Sequence, residues 1–204
     1  MKLYSLKNAP NPRRVRIFLA EKKASIAVEE FDMDAAPGHR TQAFLEKNSL
    51  AQLPVLELDT GETITESVAI CRHFEELMPE PPLFGRSAAE RVAVEMWNRR
   101  MEHELLLPVI DVFVHTHDFW VGRRTQVRTW GDLRRQQVIE RMAWLDKELE
   151  GREFIGVDRY NVADITAQVA LLTARGALQL KIPEEQKNLS RWWGAVTRRP
   201  SARA

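Results

Sequence analysis

The sequence predicts a small α/β domain with a mixed four-stranded sheet, followed by an all-α domain. Three observations carry this prediction. Over residues 1–78, short strand-like runs alternate with segments of helical period. Residues 79–86 are rich in proline, which marks a stiff linker. From residue 87 to 204 only helical periodicity rises above noise.

The elements follow in order. Leu3-Tyr4-Ser5-Leu6 is a short strand. Asn11-Pro12 opens a helix with Val15, Phe18 and Leu19 on one face, asparagine as N-cap and proline as first helical residue. Ser25 to Phe31 alternates through Ile26 and Val28 as a second strand, and Thr41 to Lys47 forms a short helix with Phe44 and Leu45. Leu53 to Leu58 is a third strand, Asp59-Thr60-Gly61-Glu62 a turn, and Thr63-Ile64 the stub of a fourth. A helix from Ser67 to Met78 buries Ile70, Phe74 and Leu77 and stops at Pro79. A crossover followed by a hairpin requires both parallel and antiparallel pairs.

In the second half, Ser87 with Glu90 is a capping box that opens a long helix through Met96, Trp97 and Met101 to a kink at Pro108. Val138, Met142, Leu145 and Leu149 form an amphipathic stripe. Asn161-Val162-Ala163-Asp164 caps a helix carrying Ile165, Val169 and Leu172, and Leu189, Trp192, Trp193 and Val196 mark a short last helix.

Composition excludes several function classes. Thirty Lys and Arg against 29 Asp and Glu leave a net charge of +1, without the basic excess of a nucleic-acid binder. A hydrophobic content of 44% can close a core, so the chain is not a disordered tail. The longest comparable apolar run, Leu105 to Ile110, is broken by Pro108 and far short of the ~20 residues of a membrane helix. The N-terminal residues lack the apolar stretch of a signal peptide. The single Cys71 allows no internal disulfide, so a cytoplasmic location is expected.

Two features carry chemistry. Pro54 interrupts a strand and cannot donate to a ladder, so it marks an edge, a bulge or a cis turn that aims the Leu53 backbone at a ligand. Glu66-Ser67 stands at a helix start, where free amides and a hydroxyl favour a carboxylate and the glutamate favours an ammonium. Metal binding is not expected. His115 and His117 lie on different helix faces, and no further ligands complete a site.

The ordered set Leu3-Tyr4-Ser5, Pro10 to Ile17, Gln52-Leu53-Pro54-Val55-Leu56 and Thr65 to Ile70, followed by the helical half with Asn161 to Ile165, resembles cytosolic glutathione S-transferases of a bacterial branch. The resemblance spans nearly the whole chain. It implies a thioredoxin-like glutathione-binding domain over 1–78, a linker over 79–86 and the family's all-helical domain over 87–204. It also implies a cis Pro54, with Leu53 pairing the cysteinyl group and Gln52 beside it. Glu66 and Ser67 then hold the γ-glutamyl end, and His39 and Arg40 approach the glycine carboxylate. The expected partners are glutathione, a hydrophobic electrophile bound between the domains, and a second copy in a homodimer, in a detoxifying role.

The usual catalytic serine position falls on Ala9, which has no donor. Asn11 is the first candidate to stabilise the thiolate, being an amide donor at a helix start, unless capping consumes its side chain. Tyr4, Ser5 and Asn8 are the other donors nearby, and Arg13, Arg14 and Arg16 either hold the anion or form a solvated basic face. Trp97, Arg100, Met101, Glu104, Phe113, His117, Phe119 and Trp120 are candidates for the second-substrate pocket. The alternatives to sulfur transfer are glutathione-dependent reduction of disulfides or peroxides, and non-catalytic binding. Cys71 lies mid-helix at core spacing and is not a nucleophile.

Overall fold

The structure, a computed structural model, describes residues 1–32 and 40–204. It divides into two compact units, Met1–Pro82 with Pro200–Ala204, and Leu83–Arg199.

The first unit runs β1 (Lys2–Leu6), α1 (Pro10–Lys22), β2 (Ala27–Phe31), α2 (Gln42–Lys47), β3 (Val55–Glu57), β4 (Thr63–Ile64) and α3 (Ser67–Leu77). The sheet order is β2-β1-β3-β4. β1 is parallel to β2 and antiparallel to β3, and β3 is antiparallel to β4. Leu3, Tyr4, Ser5 and Leu6 are all buried, as an inner strand covered on both faces requires. Tyr4 and Val55 are direct cross-strand partners, and they pack with Phe44 of α2, Phe31 and Leu53. The alternate residue Ser5 points to the opposite face, where its hydroxyl meets Arg16 of α1. Val15, Ile17 and Phe18 of α1 and Ile70, Cys71 and Phe74 of α3 are buried, and these two helices pack together.

The helix starts differ from expectation by one or two residues. α1 begins at Pro10 with Ala9 as N-cap, so Asn11 is the second helical residue and does not cap. Pro10 takes the first position, where its missing N–H has no intrahelical partner to lose. α3 begins at Ser67 with Glu66 as its N-cap, and neither side chain caps the helix. β3 starts only after Pro54 because the Leu53–Pro54 peptide is cis and the chain turns there. β2 likewise starts at Ala27 rather than Ser25.

The expected linker is pinned rather than free. The buried Lys22 ammonium donates to the carbonyls of Met78 (2.7 Å), Pro79 (3.3 Å) and Pro81 (2.5 Å), and pairs with Glu75 at 2.6 Å. From Leu83 onward the chain belongs to the second unit, where the Leu83 carbonyl accepts from the Val162 N–H. The last five residues, expected in the helical half, pack in the first unit. Arg13 donates to the Ala202 carbonyl at 3.2 Å, and the Ser201 hydroxyl donates to Glu21.

The second unit contains α4 (Ala88–Met101), a π-helical turn (Glu102–Leu106), α5 (Leu107–Thr116), a 3-10 turn (Asp118–Trp120), α6 (Arg128–Glu148), α7 (Val162–Ala177) and α8 (Lys187–Thr197). The Ser87 hydroxyl accepts from the Glu90 N–H as expected. The kink assigned to Pro108 is a widened turn just before it, with the Leu107 N–H reaching the Glu102 carbonyl. Proline lacks the N–H for a regular bond and its ring crowds the carbonyl four residues back, and the π turn absorbs both defects. α7 is the core helix, buried from Val162 to Leu171. Its cap is the expected box. Asn161 accepts from the Ala163 N–H, and Asp164 accepts from the Asn161 N–H, the Ile155 N–H and the Trp192 indole.

Candidate active site

The sheet register brings Asn11, Leu53, Glu66 and Ser67 to one end. Tyr4 faces Val55, so the C-terminal end of β1, which leads into α1, lies beside the start of β3 and the Leu53–Pro54 turn. Ile64 faces Leu56, so β4 runs back toward that same end and delivers Thr65, Glu66 and Ser67. Asn11, Leu53 and Glu66-Ser67 are therefore neighbours through strand pairing, although 42 residues separate Asn11 from Leu53.

At the α1 start, Pro10 and Pro12 have no N–H, so Asn11 alone among the first three helical residues offers a backbone donor. Asn11 is half-buried, and its side chain has no hydrogen-bond partner among the described residues. The helix field and an uncommitted amide thus meet at one residue. Its rivals are engaged. The Tyr4 hydroxyl donates to Glu57 at 2.5 Å, and burial together with that bond pushes the phenol up. The buried Ser5 hydroxyl accepts from Arg16 at 2.8 Å. Asn8 is exposed, and Ala9 offers no side-chain donor.

The arginine run is no solvated face. Arg16 also donates to the carbonyls of Leu6 and Lys7, and Arg13 reaches Ala202. Arg14 is 1% exposed, and its Nη1 donates to Ser67 Oγ at 2.8 Å. This bond sets the hydroxyl's polarity. With a lone pair occupied by the guanidinium, the Ser67 O–H proton is left to donate outward. Sequence reading left Arg14 undecided, but the helical spacing held a signal. Arg14 lies four residues before Phe18, on the same buried face.

Around Leu53, neither the N–H nor the carbonyl is taken up by a backbone bond among the described residues. A second overlooked residue, Asn48, holds this segment. Its buried amide donates to the Gln52 carbonyl at 2.9 Å and accepts from the Leu50 N–H at 3.1 Å. Gln52 itself is exposed, as is Glu66. Glu66 has φ of 64°, a left-handed conformation that non-glycine residues adopt rarely. The N–H groups of Ser67, Val68 and Ala69 have no intrahelical acceptor, whereas Ile70 already bonds the Glu66 carbonyl. Arg40 is exposed just before Thr41, the N-cap of α2, and His39 lies outside the described residues.

The second-substrate candidates split into two groups. Trp97 stacks on Trp144 at 5.6 Å with Arg100 over its ring, Met101 is fully buried, and Glu104 is held by Arg141 at 2.7 Å. Phe113 in the last turn of α5 clusters with His117, Phe119 and Trp120 just after it. Sixteen helical residues separate Trp97 from Phe113, about 24 Å of axis. Trp97 and Phe113 thus stand far apart along this helical stretch. Among the described residues no cluster of His, Cys, Asp or Glu could hold a metal, and no helix is long and apolar enough to cross a membrane.

The chain is similar to known proteins over its whole length. Residues 1–76 match the model of the glutathione S-transferase N-terminal domain, and residues 112–200 that of the C-terminal domain. The chain is 34% identical to glutathione S-transferase 2 of Saccharomyces cerevisiae, covering all of this chain and 88% of the relative. Among solved structures, a glutathione S-transferase domain-containing protein of Marinobacter aquaeolei is similar at 36% identity and a TM-score of 0.91, covering 98% of this chain and 99% of its own. Gtt2 of Saccharomyces cerevisiae is similar at 33% identity and a TM-score of 0.91, covering 100% and 99%.

Proposed function

The chain belongs to the glutathione S-transferase family, and from that premise we propose that it binds glutathione at the shared sheet end and transfers its sulfur to an electrophile. The observation that carries this reading is the register that sets the unclaimed Leu53 backbone beside the Glu66-Ser67 helix tip.

The Leu53 N–H and carbonyl pair with the cysteinyl residue as a short strand would, with Gln52 alongside and Pro54 turning the chain. The γ-glutamyl carboxylate takes the outward Ser67 hydroxyl and the free amides of α3, and Glu66 receives its ammonium. Arg14 acts through Ser67, orienting the hydroxyl and adding a buried positive charge behind it. Arg40 and His39 serve the glycine carboxylate. The thiol then lies at the α1 start. A free thiol has a pKa near ~8.5, and the Asn11 side-chain amide, its N–H and the helix field lower it. The thiolate attacks the electrophilic carbon, a carbon–sulfur bond forms, the leaving group departs, and the thiol proton goes to solvent.

Disulfide reduction on the same site is the second reading, suggested by Ala9 at the usual hydroxyl position. Cys71 argues against a protein thiol in that chemistry, since burial pushes it up to about 12. Reduction would need two glutathione molecules and no protein-bound intermediate. A homodimer and a cytoplasmic, detoxifying role belong to the proposal as well. The exposed Val92 and Met96, one helical turn apart on α4, supply an apolar surface for a second copy.

Calorimetric titration with glutathione tests the site. Saturable binding is expected, weakened about tenfold or more in Ser67→Ala, because a charge-assisted bond is lost. Undiminished binding after that change would overturn the assignment. Parallel assays with a chloro-aromatic acceptor and a small disulfide separate the two chemistries.

A further inference from the structure

β2 is an outer strand of the sheet, paired with β1 on one side. On its other side, Ala27, Val28, Glu29 and Glu30 make no backbone hydrogen bond among the described residues. Alternate residues of a strand direct their N–H and carbonyl groups to one side, so part of this backbone faces outward as a template for a further strand. All four residues are exposed, Val28 to 48%.

Beside the start of this edge lies a recess of about 220 Å3, lined chiefly by Leu3, Arg16, Leu19, Ala20, Ile26 and Val28. Sites for drug-sized ligands run to about 300–1,000 Å3, so the recess suits a single aliphatic side chain. Its one guanidinium is already committed, since Arg16 donates to Ser5 Oγ and to the carbonyls of Leu6 and Lys7. The register fixes how edge and recess relate. Leu3 pairs with Val28 and Ser5 with Glu30, so Val28 and Glu30 share the sheet face that meets α1, and Glu29 lies on the other face with Tyr4.

Charge selects the occupant. The run Ala27-Val28-Glu29-Glu30-Phe31-Asp32 holds three acids and no base. The neighbouring bases belong to other elements: Lys2 of β1 pairs with Glu29 at 3.1 Å, and Arg16 of α1 interacts with Glu30. Two copies of β2 that overlapped fully would set acid against acid, which destabilises a ladder. Acids alone are an ordinary guard of an exposed edge, but an apolar recess at the same edge adds a contact that discriminates among partners.

We propose that the β2 edge docks an extended basic segment of another protein, which adds a strand to the sheet. The residue level with Val28 places an aliphatic side chain in the recess, and the next two set lysine or arginine against Glu29 and Glu30. This surface is independent of the glutathione reading.

The test titrates the full chain with an acetylated, amidated heptapeptide in which two lysines and an end threonine flank a central leucine on each side. Its symmetry serves either strand direction. Saturable one-to-one binding is expected by calorimetry. Replacing the leucine by glycine should weaken it about tenfold, and E29K/E30K about fivefold. Ala20→Phe, in the recess wall, should weaken the leucine peptide and leave the glycine peptide unchanged. Equal binding of the two peptides to the wild type would reduce the contact to charge and overturn the proposal, whether or not the variants fold. Full affinity in folded E29K/E30K would overturn it as well. Hydrogen exchange reads the strand itself. Amides within 27–30 should slow at saturating peptide, and unchanged exchange would refute strand addition. In the free protein their exchange should not depend on protein concentration. Slowing on concentration would show that a second copy covers the edge, and the proposal would fall.

Discussion

Ser67 serves two partners, and its removal should register twice. Its hydroxyl is an acceptor for the buried Arg14 guanidinium, so Ser67→Ala removes a hydrogen bond from a charged group inside the first unit. Urea unfolding should show a loss of about 1–3 kcal/mol, separate from the weakened glutathione binding. Asn11 is tested by the thiol's own titration. In Asn11→Ala the bound glutathione thiol should ionise at higher pH, followed by thiolate absorbance, and Asn11→Asp should raise it further by placing an anion beside sulfur. Equal titration in all three proteins would remove Asn11 from the reaction. Cys71, pushed up to about 12 by burial, should resist a thiol reagent at pH 8 in the native state and react once unfolded. These residues were legible to different degrees. The turn at Pro54 stands out because a proline interrupts a strand pattern, and Glu66-Ser67 because it marks a helix start. The partner of Ser67 does not, because Arg14 lies 53 positions away and three neighbouring arginines look alike until packing assigns each an acceptor.

At the level of elements, the order of strands and helices was readable because hydrophobic period survives single-residue errors, whereas helix starts were not. Two prolines near Asn11 each suit the first helical position, and only the structure selects Pro10. The π turn before Pro108 was equally hidden, since proline predicts a defect but not how it is absorbed. The cap of α7 was readable, and it carries a pH dependence. Burial pushes the Asp164 carboxyl up to about 7, from 3.8 for the ordinary group, against the pull of its N–H donors. Between those values the native state keeps a proton that the unfolded chain has released. Stability from this group therefore falls as pH rises from about 4 to about 7 and is level above. Glu90 acts oppositely. The Arg159 guanidinium and the Arg86 N–H hold it down to about 2, so its stabilisation is lost only as pH drops below 4.5. Unfolding measured between pH 5 and 7 separates Asp164 from Glu90. The decline expected there should vanish in Asp164→Asn, which should also be less stable throughout because its amide cannot accept from every donor that now faces the carboxylate.

At the scale of the whole molecule, the chain's return to its first unit is the feature that composition could not announce. The residues Pro200–Ala204 carry no apolar stripe, yet Ser201 and Ala202 are buried and the tail rests on α1. The contacts are specific, Arg13 to the Ala202 carbonyl and the Ser201 hydroxyl to Glu21, and both reach the helix that bears Asn11 and Arg14. Removing residues 200–204 would expose the α1 surface they cover and leave the Arg13 and Glu21 groups to water. The apolar loss is small, because the covering side chains are small, and the effect should be local. Hydrogen exchange should show α1 amides losing protection while α7, buried in the other unit, keeps its own. Glutathione affinity should fall with that protection, since the thiol and carboxylate subsites both depend on where α1 lies. Truncated protein with unchanged α1 exchange and full glutathione affinity would show that the tail merely lies against the helix, and the site would then owe its placement to the sheet register alone.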